Sequence, residues 1–589
     1  MSHPKEKKIL ACIGAGYVGG PTGAVLALQV PDIDVYILDK NAARVKAWNS
    51  DQLPVSEPGL HAVLQEIWGR PQPNLFFSTD LNGVVPKADI VFIAVETPSK
   101  LQDACIIGAG AAPDLRNFRA AVQQVGDLVT KDVIIVNKST VPCGAAEETA
   151  QIMRQSLRPG IKCEVLSNPE FLAEGTAIEN LLNPDRVLIG SSSAPGGLAA
   201  AATLSELYAR WVPGERIVTM STRSSEMSKL AANMLLSQRI SSINALSAIC
   251  DKLGADITEV SRACGLDARI GPSMLRASVG FGGSCFKKDV LHLASTAHAL
   301  ELDEVAAYFN SIVTLNEYQT ERYARSLVEH RPTIYTLSVL GFAFKPNTGD
   351  TRESPAISFI RCLIMNGMSV KVYDPLVTKS GIVDAIRASL RSLAFLADSH
   401  LTVADDVYKA CDGTNAVAVL NPWKNLEYDP TQRGPEQHDL GKVRWGKIAR
   451  SMRAPKLLFD GHNFLNTHIV SLGFQLQGVG RHVSLNSDRV WREELAAEIE
   501  ASGSSNGTFK EFTAFRVPQA LHAANQLSKM NSNILHTIST KSSRRLSKLQ
   551  SPSSGPWLLA FQRILTETSV TIDERCGPIR KRGGPPLEL

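Results

Sequence analysis

Short apolar, β-branched runs recur along the first part of the chain, at 9–13, 35–38, 90–95, 133–136 and 187–189, separated by stretches with helical spacing. Strands covered on both faces read as continuous apolar runs, whereas helices carry an apolar stripe every three to four residues. The alternation therefore predicts βαβ units and a mostly parallel sheet. From about 222 to 330 the strand-like runs vanish. Residues 225–253 hold no proline and set Leu230, Met234, Ile240, Ile243 and Leu246 at helical spacing, which predicts one long helix with others following. Near 332 the alternation resumes with runs at 334–340, 370–373, 416–420 and 457–459, and it closes near 475–481. The expected organisation is two α/β parallel-sheet domains, 1–221 and 331–485, joined by a central helical layer at 222–330.

From 486 to 589 the pattern fails. Serine runs, the basic cluster Lys541/Arg544/Arg545/Lys548 and Pro/Gly punctuation around 551–556 give no sustained apolar periodicity, which predicts a disordered C-terminal tail. The patch Trp557-Leu558-Leu559-Ala560-Phe561 reads either as a docking motif or as a stray apolar stretch.

Composition narrows the class. A chain of 589 residues exceeds one core, and its 44% apolar content is that of globular protein. A net charge of +4 gives no reason to invoke nucleic acid. No apolar run reaches the roughly 18–20 residues that span a bilayer, and the polar start at 1–8 lacks a signal peptide's apolar stretch. The 10 cysteines are scattered without C-x-x-C pairs, so neither a zinc site nor a disulfide framework is indicated, and a reduced, cytoplasmic protein is expected.

Two motifs carry chemistry. Gly14-Ala15-Gly16-Tyr17-Val18-Gly19 follows a predicted strand and precedes a helix-like stretch. Its glycines serve a tight turn, backbone approach to a pyrophosphate, and close helix packing, and the pyrophosphate would sit at the helix N-terminus. Asp39 ends the next strand 20 residues after Gly19, where a carboxylate accepts the adenine-ribose hydroxyls and repels a 2′-phosphate. Lys40 and Arg44 nearby leave NADP open, but the pattern favours NAD and a Rossmann-like first domain.

The second motif is Phe281-Gly282-Gly283-Ser284-Cys285-Phe286-Lys287-Lys288-Asp289. A lone cysteine is usually a small buried hydrophobe, and Cys12, Cys250, Cys264, Cys362 and Cys411 read as core or structural. Cys285 differs because glycines crowd it, and Lys287 and Lys288 would favour its thiolate. A nicotinamide site alone implies one hydride transfer. With a thiol, the aldehyde product is trapped covalently and oxidised again, carrying an alcohol to the acid.

Further stretches extend the picture: Lys138-Ser139-Thr140-Val141-Pro142, Ser167-Asn168-Pro169-Glu170-Phe171-Leu172-Ala173-Glu174-Gly175, Asn183-Pro184-Asp185-Arg186-Val187, Ser228-Lys229-Leu230-Ala231-Ala232-Asn233, and Gly349-Asp350-Thr351-Arg352-Glu353-Ser354. With the two motifs above, the chain resembles the UDP-glucose/GDP-mannose dehydrogenase family, in its eukaryotic UDP-glucose-oxidising form, from residue 7 to about 481. The resemblance implies a four-electron oxidation with NAD as cofactor and Cys285 as nucleophile, through a thiohemiacetal and a thioester. It implies Glu170 as general base for hydrolysis with a water held by Thr140 and Asp289, and Lys229 as oxyanion stabiliser supported by Asn233. The i,i+4 spacing of Lys229 and Asn233 suits one shared helix face.

On the cofactor side the resemblance implies Val95, Thr97, Pro98, Ser139, Glu174, Lys288 and Arg352, besides Arg44 and the fingerprint. On the substrate side it implies Glu170, Phe171, Leu172, Ala173, Glu174, Arg276, Phe281, Gly282, Phe344, Lys345 and His462. It further implies that Arg269 is lent to a neighbouring subunit of a homo-oligomer, a dimer-based hexamer in the family.

Several positions depart from the family. Glu96 stands where a neutral amide is usual, and a buried unpaired charge there would be costly, so it must be solvated, protonated or paired. The loop 108–114 lacks the family's basic residues. His462 replaces an arginine, Pro346 a second lysine, and Arg276 a lysine. These changes threaten affinity and rate more than reaction type. Two alternatives stay open: oxidation of another nucleotide sugar, such as GDP-mannose or a UDP-N-acetylhexosamine, and a non-catalytic homologue that binds NAD or UDP-sugar.

Overall fold

A computed structural model of the chain describes residues 7–98, 113–329, 334–423 and 443–481, all within one unit, Met1–Ala497. The loop at 108–112 and the chain from 486 on, with its apolar patch, lie outside the described residues.

The apolar runs of the first part form eight strands: β1 (Lys8–Ile13), β2 (Ile33–Leu38), β3 (Leu75–Ser78), β4 (Ile90–Ile93), β5 (Val133–Asn137), β6 (Cys163–Ser167), β7 (Val187–Ser191) and β8 (Ile217–Ser221). They build one sheet in the order β3-β2-β1-β4-β5-β6-β7-β8, parallel throughout except where β7 runs against β6. The strand expected over 90–95 stops at Ile93, because the chain must leave the sheet there to form the rim of a crevice. Leu10 pairs with both Val35 and Ile90, so β1 lies where the strand order reverses, and ligands bind at the carboxyl side of such a point.

The second run of strands is β9 (Thr336–Leu340), β10 (Ser369–Tyr373), β11 (Leu401–Val403), β12 (Ala416–Val419), β13 (Leu457–Asp460) and β14 (Gln475–Gly478). Their order is β11-β10-β9-β12-β13-β14, all parallel, with a second reversal beside β9. The expected class, two Rossmann-like sheets with helices between them, is the one observed. Among the described residues no helix is long and apolar enough to cross a membrane.

The predicted long helix runs over Thr222–Leu253, begun by the Ser221 hydroxyl accepting from the Ser224 N–H (3.2 Å) and ended by Gly254 in the left-handed region. Its buried face is not the apolar one that a bundle helix would show. Leu230 and Ile243 are buried, but Leu246 is exposed, and the inward face is largely Ser225, Glu226, Lys229, Asn233, Ser237, Ser241, Asn244 and Ser247. Burying a polar stripe is costly wherever a group lacks a partner, and among the buried side-chain atoms of this face Asn244 Nδ2 alone has no hydrogen bond. Here the partners are largely backbone. Asn244 Oδ1 accepts from the Ser278 N–H (2.8 Å), and the Ser241 hydroxyl donates to the Ile312 carbonyl (2.9 Å).

The neighbouring helix Asp303–Glu329 completes this clamp. Asn316 accepts from the Phe281 N–H (2.8 Å) and donates to its carbonyl (2.9 Å), while Gln319 and Thr320 donate to the carbonyls of Ser278 (2.8 Å) and Val279 (2.7 Å). Two helix faces thus give the extended segment 278–281 the hydrogen bonds a sheet would have given it. That segment leads into Cys285. Of the cysteines read as structural, Cys12, Cys250 and Cys411 are buried, Cys362 is half-buried and Cys264 is exposed.

Replacing Asn316 by alanine strands two buried backbone groups. We expect a stability loss of about 2 kcal/mol or more, seen as a lower thermal midpoint, and faster amide exchange across 278–283.

Candidate active site

The first crevice opens at the reversal beside β1. A Cβ on Gly19 would lie 1.9 Å from the Gly14 carbonyl oxygen, so the helix Gly19–Gln29 can pack this close only without a side chain. A Cβ on Gly16 would meet nothing within 4 Å, leaving its backbone open to an approaching ligand. Asp39 closes the far side. Its carboxylate accepts from the N–H groups of Ala15 (2.9 Å) and Asn41 (2.9 Å), and Arg44 pairs with it at 3.1 Å. The fingerprint turn and the ribose-side carboxylate are therefore one hydrogen-bonded unit, which fits a dinucleotide.

The other lip comes from β4 and β5. The Ser139 hydroxyl donates to the Val95 carbonyl (2.7 Å), and the Thr97 hydroxyl to the Thr140 carbonyl (2.7 Å). Pro98 and Glu96 are exposed, so the unusual carboxylate is solvated and carries no burial penalty. Tyr17 and Val18 line the start of the first helix. The Tyr17 hydroxyl donates to Glu57, which is buried and also accepts from the N–H groups of Gly175 (2.5 Å) and Ala177 (3.0 Å). Glu57 carried no motif in the sequence, yet it ties the fingerprint to the 170–175 segment.

Cys285 stands at the N-terminus of the helix Phe286–Ala299, exposed, with the Ser284 hydroxyl 3.6 Å from its sulfur. Gly283 (φ +87°) makes the bend possible, since a Cβ there would lie 2.7 Å from the Phe344 ring. Protein around the thiol raises it above its ordinary value, while Lys229 and Lys288 pull the other way. Lys287 does not join them, contrary to the sequence reading. Its ammonium lies between Glu317 (3.1 Å) and Glu353 (3.0 Å).

Behind the thiol lies a buried charged cluster. Lys229 is 3.4 Å from Glu170, and both are under one-tenth exposed. Burial alone would lower the lysine, but Glu170, Asp289 and Cys285 hold its ammonium above the ordinary value. Thr140 donates to Glu170 Oε1 (3.2 Å), Asn233 donates to Asp289 Oδ2 (2.6 Å), and Lys288 lies 3.9 Å from Asp289. Burial pushes the Asp289 carboxyl up. Glu170 Oε2 and Asp289 Oδ1 are buried without a hydrogen-bond partner, a cost the cluster carries in the structure.

Sequence reasoning quoted Lys138 in a motif but gave it no role. It is buried, donates to the side chain (3.0 Å) and carbonyl (3.2 Å) of Asn168, and is lowered to about 8 by that burial.

The second sheet supplies the opposite wall. Phe344 and Lys345 follow β9, with the lysine 5.3 Å from the ring centre, and Gly282 lies against Phe344 while Phe281 packs edge-on to Phe286. Arg352 pairs with Asp350 (2.6 Å) and Glu174 (3.2 Å), and burial raises the Glu174 carboxyl to about 7. Phe171 takes the Arg186 guanidinium on its face at 3.9 Å, and Leu172 and Ala173 carry the chain to Glu174. His462 contacts the Leu420 carbonyl through Nε2 (3.1 Å), and loss of hydration, with Arg276 nearby, lowers its ring to about 4. It is therefore neutral at physiological pH, and Arg276 is left as the cation of that corner. Arg269 is not brought to the cluster; it is exposed and pairs with Asp267 (2.6 Å).

Because the Cys285 thiol lies above its ordinary 9.0, alkylation by iodoacetamide should keep accelerating as pH rises through that value. Lys229→Met removes a cation that favours the thiolate, so the whole rate profile should move to higher pH. A profile that levels near neutrality would contradict this environment.

Residues 8–212 match the NAD binding domain of the UDP-glucose/GDP-mannose dehydrogenase family, residues 223–318 its central domain and residues 338–467 its UDP binding domain. The UDP-glucose 6-dehydrogenase of Drosophila melanogaster is 44% identical over 477 residues, covering 80% of this chain and 96% of that protein. UDP-glucose 6-dehydrogenase 4 of Arabidopsis thaliana is 43% identical over 488 residues, covering 80% and 97%. A solved UDP-glucose dehydrogenase from the hyperthermophilic archaeon Pyrobaculum islandicum superposes with a TM-score of 0.66 at 30% identity, covering 82% of this chain and 100% of that one. With those three domains matched in order along the two sheets and the helices between them, the chain belongs to the UDP-glucose/GDP-mannose dehydrogenase family of NAD-dependent oxidoreductases.

Proposed function

We propose that the chain oxidises C6 of UDP-glucose to the carboxylate of UDP-glucuronate in two hydride-transfer steps joined by a covalent bond to Cys285. The observation that carries this reading is the exposed Cys285 thiol at a helix N-terminus, with the buried Lys229 and Asp289 charges close enough to act on it. NAD, held by 14–19 and Asp39, supplies the hydride acceptor for each oxidation. As the first hydride leaves, the C6 hydroxyl proton passes to the Asp289 carboxylate through the water that Asp289 shares with Thr140, and the Lys229 ammonium stabilises the negative charge on the C6 oxygen. Cys285 sulfur then adds to the aldehyde carbon, and its proton passes to the carbonyl oxygen to give a thiohemiacetal. Loss of the second hydride and of the hydroxyl proton leaves a thioester. Water attacks that carbon, Glu170 accepts the water's proton through an orientation set by Thr140, and the Cys285 thiolate departs.

On the cofactor side we assign contacts to 14–19, Asp39, Arg44, Val95, Thr97, Pro98, Ser139, Glu174, Lys288 and Arg352. The uridine diphosphate is assigned to the segment 171–174, Arg276, Phe281, Gly282, Phe344, Lys345 and the His462 corner. Neutral His462 leaves less positive charge for the diphosphate than an arginine would. The eight free cysteines among the described residues suit a reducing compartment, and we place the reaction in the cytoplasm.

We further propose a homo-oligomer. Leu235, Leu246, Ile249 and Leu253 stand exposed on the long helix, and Leu266 is 82% exposed near Arg269, which pairs only locally with Asp267 at the surface. Covering that face with a second copy would bring Arg269 toward a neighbour's substrate. Ile249→Asp should therefore lower the mass measured by light scattering, and Arg269→Ala should cut turnover while the mass holds.

The decisive experiment counts NADH formed per UDP-glucose consumed, with Cys285→Ser alongside. Two NADH per sugar, lost in the variant, is the expected result. Oxidation of a different nucleotide sugar alone would overturn the substrate, and NAD binding without any turnover would overturn the enzymatic reading.

A further inference from the structure

The groups proposed to hydrolyse the thioester come from segments far apart in sequence: Thr140 after β5, Glu170 after β6, and Lys229 and Asn233 on the helix Thr222–Leu253. Something must hold these segments in register. Ser225 does so for the Glu170 segment, since its hydroxyl lies 3.0 Å from the Ser167 hydroxyl and 3.3 Å from the Ser167 carbonyl.

The Thr140 segment is tied at its near end by Ser139 and by the Thr97 hydroxyl, and at its far end by Glu226, a residue given no part in the chemistry above. Glu226 is 2% exposed, and each of its carboxylate oxygens accepts a backbone hydrogen bond, from Gly144 (2.7 Å) and Ala146 (2.8 Å). The helix Ala145–Ser156 has no side-chain cap of its own, because its N-cap is Gly144 at φ +97°. Its unpaired N–H donors and the positive end of its dipole are answered by a carboxylate from another helix. Glu226, Lys229 and Asn233 sit at i, i+3 and i+7, so the latch and the two polar groups share one helix face. At the exposed rim, Arg223 pairs with Glu147 at 2.8 Å and the Cys143 sulfur lies 3.8 Å from the Arg223 carbonyl.

We propose that Glu226 is a positioning residue for the hydrolytic step: its carboxylate fastens the 138–146 segment to the long helix and so holds Thr140 against Glu170. This rests on the functional reading above. The oxidation steps do not depend on the latch, because Ser139 is anchored separately to the Ile93 and Val95 carbonyls and the Cys285 segment to Asn316.

The test is rapid-mixing kinetics on the full chain with NAD and UDP-glucose. In Glu226→Gln, the amide presents an N–H to a backbone N–H and one anchor is lost. The expected result is a burst of two NADH per Cys285, followed by a steady rate lower by about 10- to 100-fold, with KM for UDP-glucose within about twofold of wild type. Glu226→Asp, which keeps the charge at shorter reach, should restore part of the rate. Gly144→Ala strains the same corner without touching the long helix and should give the same pattern, so it carries the test if Glu226→Gln does not fold. An unchanged steady rate overturns the proposal, and so does a burst that falls together with the steady rate. Absence of NADH from the wild-type chain itself would mark failure of the functional reading instead.

Discussion

The polar face of the long central helix is the constraint on which the rest of the structure depends. Serines, asparagines, a glutamate and a lysine are buried along Thr222–Leu253 where a bundle helix would carry leucine. Each buried polar group costs free energy unless it is hydrogen-bonded. The helix is therefore compatible with few arrangements of its neighbours: those that bring the Ser167, Gly144, Glu170, Asp289 and Ser278 partners into place. Apolar packing would have tolerated sliding or rotation of the sheet against the helix. Directional bonds at several successive turns do not.

That specificity explains why the polar cluster can be kept under strain of another kind. The Lys229–Glu170 pair is buried, and a buried ion pair commonly returns less than its desolvation costs. Glu170 Oε2 and Asp289 Oδ1 add buried oxygens with no hydrogen bond, the second facing the Lys288 ammonium at 3.9 Å. None of this is a device for stability. The surrounding bonds fix the positions of groups that would not choose to be buried together.

The two sheets and the fingerprint were legible in the sequence because they depend on period and on local backbone demands. A continuous apolar run has few readings beside a covered strand, and Gly14–Gly19 with Asp39 follows from how closely backbone can approach a helix and a phosphate. The inward face of the long helix was not legible. Ser241 and Ser247 look like a solvated stripe until the helix Asp303–Glu329 is seen against them. Glu57 and Glu226 were invisible for the same reason, since their partners are backbone N–H groups more than eighty positions away for one and about eighty for the other. Lys287 shows the converse error. Nearness in sequence suggested an effect on Cys285, but helical geometry turned it toward Glu317 and Glu353.

The departures from the family follow the same division between what is buried and what is not. Glu96 exchanges an amide for a charge at an exposed position, where water absorbs the cost. His462 loses a charge in a corner where burial already disfavours one, and it keeps a hydrogen bond to the Leu420 carbonyl. Both changes fall on the walls that meet ligands. The residues joined to the buried face of the central helix, Ser167, Glu170 and Asp289 among them, match the family's motifs. A substitution on a wall alters one contact, whereas a substitution on that face leaves a buried partner unsatisfied and loosens several segments together. Tolerance to change is therefore expected at the exposed walls and not along the buried polar face of the central helix.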